Sequence, residues 1–90
     1  MPESYEATVT LSGDLHARPA GALSVAAAKF DAVIELAAGT GRANAKSVLA
    51  VMQLGASSGQ QVTIYATGPD AREAAAAIAE ILSETGAGSS

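Results

Sequence analysis

The chain has 90 residues, 49% of them hydrophobic but only 3% aromatic, with no cysteine and a formal net charge of −4. That length has room for one small core, so the expectation is a single domain over residues 1–90, ordered over about 4–84 and frayed over 85–90. The acidic balance and scarce aromatics argue against a nucleic-acid binder, and the lack of cysteine excludes disulfide scaffolds and thiolate metal sites. No apolar run reaches about 18 residues and no charged-then-apolar leader is visible, so the expectation is a cytoplasmic protein without a membrane span.

In chain order, Tyr5, Ala7, Val9 and Leu11 alternate with Glu6, Thr8 and Thr10, the pattern of a half-buried strand. Ser12-Gly13-Asp14 then turns the chain toward Leu15 and His16. From Ala17 to about Lys29, Ala20, Leu23, Ala27 and Phe30 recur at helical spacing; Gly21 within this run suggests close approach of another element. Ala32, Ile34 and Leu36 predict a second strand, and Ala38-Gly39-Thr40-Gly41 turns it into a short third strand near Arg42-Ala43-Asn44. Ser47 opens a short helix whose apolar residues Val48, Leu49, Val51, Met52 and Leu54 are too many for one inward face, so some must be exposed. After Ser57-Ser58-Gly59, Val62, Ile64 and Ala66 alternate as a fourth strand. Asp70-Ala71-Arg72-Glu73 has the spacing of a capping box, and Ala74, Ala75, Ile78, Ile81 and Leu82 form the stripe of a last helix. The order is β-α-β-β-α-β-α, an α+β two-layer fold with helices on one face of an antiparallel sheet.

The stretch that carries chemistry is Leu15-His16-Ala17-Arg18-Pro19-Ala20, which holds the only histidine. Pro19 fits a first helical turn, where its missing N–H is not needed, so His16 stands at or just outside a helix end. Such an end attracts anions. An imidazole nitrogen there can accept a phosphoryl group and release it again. Arg18 suits the phosphate oxygens, and the backbone amides of Ala17 and Arg18 add donors. The plain alternative is a histidine that merely caps a helix. Neither a nucleophile elbow nor paired carboxylates stand beside it, so an independent enzyme is not expected, and no metal or cofactor is called for.

This stretch resembles the active-site signature of HPr, the histidine-containing phosphocarriers of the bacterial phosphoenolpyruvate-dependent sugar phosphotransferase system. Asn44-Ala45-Lys46-Ser47-Val48-Leu49-Ala50-Val51-Met52-Gln53-Leu54-Gly55 is similar to the family's second signature, around a regulatory serine. Phe30-Asp31, Val62-Thr63-Ile64 and Gly68-Pro69-Asp70 fall at matching spacings, so the resemblance covers roughly residues 5–83. It implies an open-faced sandwich of four strands in the order 1-4-2-3 beneath three helices. It also implies that His16 takes a phosphoryl group on Nδ1 from phosphorylated enzyme I, steadied by Arg18, and passes it to the enzyme IIA of a sugar transporter. Ser47 corresponds to the serine that an ATP-dependent HPr kinase modifies in many Gram-positive bacteria. Leu23, Val48, Leu49 and Met52 correspond to an apolar docking patch, and a monomer is expected.

The sequence departs from the family at Asp14, where glycine is usual; this places a negative charge near the phosphoryl site. The first helix also lacks the basic residues frequent there in the family, which leaves Arg18, Lys29 and Lys46 as the local cations for partner docking. Two other readings stand beside the sugar carrier. One is a regulatory HPr-like protein, against which His16 speaks; the other is a relay serving nitrogen signalling or dihydroxyacetone phosphorylation.

Overall fold

The computed structural model describes residues 3–15 and 17–84; His16 and the expected frayed tail at 85–90 lie outside the described residues. Seven elements follow one another: β1 (Glu3–Thr10), α1 (Ala17–Ala27), β2 (Val33–Ala38), β3 (Gly41–Asn44), α2 (Val48–Leu54), β4 (Gln61–Gly68) and α3 (Ala71–Glu84). The four strands form one sheet in the order β1-β4-β2-β3, with every neighbouring pair antiparallel. This is the topology the resemblance implied; periodicity had supplied only the elements.

Alternation along the strands divides the sheet into two faces. Ile34, Leu36, Ala38, Val62, Ile64 and Ala66 are buried under the helices together with Leu23, Val51, Ile78 and Leu82. The opposite face is polar: Thr8 and Thr63 hydroxyls lie 3.2 Å apart, and Arg42 donates to Glu35 at 2.6 Å while stacking 5.1 Å from the Tyr65 ring centre. Each large aliphatic side chain so buried contributes about 1.5–3 kcal/mol, and without large aromatics the core gains its area from many such residues.

Boundaries move by small amounts for identifiable reasons. α1 ends at Ala27 rather than about Lys29, because the amides of Lys29 and Phe30 reach back three residues, to Ala26 and Ala27, in a tightened last turn. β1 starts at Glu3, paired with Gly68. At Gly68 the backbone has φ 144°, and a Cβ would come within 2.9 Å of Ala32 Cα, so only glycine fits.

Two expectations change. The capping box at Asp70 does not spend its carboxylate on its own helix: the two oxygens accept the amides of Asp31 and Ala32, each at 2.8 Å. The side chain thereby pins the start of β2 to the start of α3, and the Asp31 amide above all holds its carboxyl below the ordinary value of 3.8. At Gly21 no element approaches closely, since a Cβ there would meet nothing within 4 Å among the described residues. Nothing in the structure explains this glycine.

Candidate functional site

The site is built where the loop after β1 enters α1. Leu11 and Leu15 are both buried and anchor the two ends of this loop. Its backbone is fastened to the loop between α2 and β4: the Leu11 amide donates to the Gln60 carbonyl, the Gly59 amide to the Leu11 carbonyl, and the Leu15 amide to the Ala56 carbonyl, all at 2.9–3.0 Å. Asp14 adds a side-chain bond, its Oδ1 accepting the Ser58 amide at 2.9 Å. The residue on each side of His16 is thus set, Leu15 by burial and its bond, Ala17 as the first residue of α1.

Ala17 and Arg18 occupy the exposed first turn of α1, where backbone N–H groups lack helical partners. The Arg18 guanidinium forms no ion pair or hydrogen bond among the described residues, while the ion pair that is present joins Arg42 to Glu35 on the far face of the sheet. A free guanidinium in the first turn of a helix adds a fork of donors to the positive end of the helix dipole. That combination is suited to an oxyanion and leaves it open to solvent.

Lys29 and Lys46 do not join it. Lys29 follows the C-terminal end of α1, and the Lys46 Nζ donates to the Phe30 carbonyl at 2.8 Å, neutralising the carbonyl end of the same helix. With 11 residues in α1, that end lies about 15 Å from the Ala17 end. Both lysines are therefore cations of the far end of α1 rather than of its Ala17 end.

α2 lies alongside α1. The buried Ser24 hydroxyl donates to the Ala45 carbonyl at 2.9 Å, which sets the approach to α2 beside the later half of α1. The Leu15–Ala56 bond sets its exit beside the start of α1, so α2 runs back toward the Ala17 end of α1. Ser47 is the N-cap, its Oγ accepting the Ala50 amide at 3.2 Å, and Gly55 in the left-handed conformation closes the helix with its amide on the Met52 carbonyl.

On the outer side of α2, Leu49 is 70% exposed, Met52 39% and Val48 38%, while Val51 is buried. Leu23 does not belong with them. It has no exposed surface, because it lies on the buried stripe of α1 with Ala20 and Ala27. Val25 was missed as an exposed residue: it stands off that stripe and is 64% exposed on α1.

Elsewhere, a depression of about 520 Å³ on the open face of the sheet is lined by the β2–β3 turn, Arg42, Gln60, Gln61, Thr63 and Tyr65, away from the helices. Among the described residues, no three His, Cys, Asp or Glu side chains gather as a metal site, and no helix is long and apolar enough to cross a membrane.

The family model described as the PTS HPr component phosphorylation site matches residues 4–84. Among solved structures, the histidine-containing phosphocarrier protein of a mycoplasma is 37% identical with a TM-score of 0.77, the match covering 88% of this chain and 90% of that one. The phosphocarrier protein HPr of Bacillus anthracis is 33% identical with a TM-score of 0.78, covering 90% and 96%. Crh, a catabolite repression protein of Bacillus subtilis described as a dimer with a swapped domain, is 35% identical with a TM-score of 0.75, covering 86% and 88%. Matched along almost its whole length by sequence and by fold, the chain belongs to the HPr phosphocarrier family of the phosphotransferase system.

Proposed function

We propose that this protein accepts a phosphoryl group on His16 from phosphorylated enzyme I and hands it to the enzyme IIA components of sugar transporters. The observation that carries the reading is the start of α1 immediately after His16, with Arg18, unpaired among the described residues, in its first turn. In the transfer, the bond from phosphorus to its carrier atom on enzyme I breaks as the P–N bond to His16 forms, and enzyme I leaves without its phosphoryl group. The exposed amides of Ala17 and Arg18 and the Arg18 guanidinium face the negative charge on the phosphoryl oxygens. No step needs a cofactor or a metal, and the protein is a relay component rather than an independent enzyme. Holding the oxyanion at an open helix end, without a deep cradle, suits a group that must leave again.

The exposed aliphatics Val48, Leu49 and Met52 are the docking surface that enzyme I and enzyme IIA share in turn. Met52 is the adaptable member of that surface. A phosphate added to Ser47 by an HPr serine kinase would place nearly two negative charges at the edge of this patch while leaving α2 intact, weakening docking rather than folding. The protein works as a cytoplasmic monomer, one domain over residues 1–90. The test is incubation of the protein and of His16→Ala with enzyme I, magnesium and labelled phosphoenolpyruvate. The wild type takes up label and folded His16→Ala takes up none; label on the variant would overturn the assignment.

A further inference from the structure

Two short strips, residues 11–15 and 56–60, are zipped together by the bonds of Leu11, Leu15, Ala56, Gly59 and Gln60 described above, and by the Ser58 hydroxyl donating to the Ser12 carbonyl at 3.2 Å. Asp14 is the only charged residue in either strip. Its carboxylate is exposed to solvent but tethered, because Oδ1 accepts the Ser58 amide and the next residue, Leu15, is buried and bonded through its own amide. Building on His16 as the phosphoryl acceptor, we propose that Asp14 is a positioning residue whose carboxylate, fixed by the Ser58 amide, opposes retention of the phosphoryl group and so promotes its onward transfer.

Two peptide units separate Asp14 from His16, so their Cα atoms stay within about 7 Å whatever the local conformation. This is inside the screening length of about 8 Å at physiological salt, so a fixed charge at Asp14 is felt at His16. The charges facing the site from the elements around it are few. α1 offers Arg18, α2 and the loop after it carry none, and α3 ends in Glu80 and Glu84 near Ser83, whose carbonyl accepts the Ser12 hydroxyl at 3.1 Å. Asp14 is thus the counterweight to Arg18. The arginine and the helix end attract the phosphoryl oxygens, the carboxylate repels them, and the bond to Ser58 keeps that repulsion constant instead of letting the side chain turn away.

Two variants separate charge from tether. Asp14→Asn keeps an oxygen that can accept the Ser58 amide but removes the charge; Asp14→Ala removes both. Asp14→Asn is expected to lower the His16 imidazole pKa, read by NMR on the unphosphorylated protein, by about half a unit, and to shift phosphoryl exchange with enzyme I about threefold toward the phosphorylated carrier. Asp14→Ala is expected to give the same two shifts and, in addition, faster hydrogen exchange of the Ser58 amide. A wild-type imidazole titration and exchange equilibrium in Asp14→Asn would overturn the proposal, as would shifts confined to Asp14→Ala, which would reduce Asp14 to a structural tie. If the wild type accepts no phosphoryl group at all, it is the carrier reading that fails, and the imidazole titration still decides whether Asp14 acts on His16.

Discussion

Replacing Leu23 by alanine separates the core of this protein from its docking face. Leu23 has no exposed surface and sits on the buried stripe of α1 with Ala20 and Ala27. Truncation removes three carbons, about 2.4 kcal/mol of transfer free energy, and a cavity term brings the expected loss to about 3 kcal/mol. A domain of this size has a total stability of about 5–13 kcal/mol, so the variant should remain folded but lose a large share of its margin. At about 4–8 °C per kcal/mol, the melting temperature should fall by about 12–24 °C, followed by circular dichroism. The slope of urea unfolding should stay unchanged. Titration with enzyme I well below the melting point should give the wild-type affinity, because no atom of Leu23 reaches the surface. A fall of less than about 4 °C combined with weakened binding would refute this reasoning and return Leu23 to the docking patch.

The converse holds at Met52: Met52→Glu should change stability by no more than about 0.5 kcal/mol, as a surface substitution does, yet weaken enzyme I binding measurably by calorimetric titration. The glycines of α1 and β4 should respond in opposite directions. Gly21→Ala, in a helix interior with open space around it, should gain about 1 kcal/mol in urea unfolding, whereas Gly68→Ala, with φ 144° and a Cβ 2.9 Å from Ala32, should lose more than 1 kcal/mol. For Asp70, the folded-state pKa lies below the ordinary 3.8, so its contribution to stability is present above that value and is lost as pH falls through the folded pKa. Wild type should therefore exceed Asp70→Asn in stability at pH 6, and the gap should close as the pH is taken below about 4 in parallel denaturation series.

Strands and helices were legible because their periods are. Val62, Ile64 and Ala66 alternate too cleanly for anything but a strand with one buried face, and α3 carries an unbroken stripe from Ala74 to Leu82. The order of strands was not in any period, since β1 pairs with β4 across the fifty residues that separate them; it came from resemblance. Asp70 shows how a local signature can be right in position and wrong in partner. The sequence places it correctly before α3, but its oxygens are taken by the amides of Asp31 and Ala32, which stand in the bend that leads into β2. Leu23 lay on the buried stripe by its spacing and on the docking patch by its family position, and only packing separates the two. The bond from Asp14 to Ser58 spans 44 residues, and no pattern in the sequence announces it.

The central claim is that His16 carries a phosphoryl group transiently, and intact mass tests it most directly. The protein is incubated with enzyme I, magnesium and phosphoenolpyruvate, then weighed at neutral pH and again after brief acid treatment. The account predicts one added phosphoryl group at neutral pH that disappears in acid, as a phosphohistidine does and a phosphoserine at Ser47 would not. A well-folded protein that gains no mass, or an addition that survives acid, would contradict it.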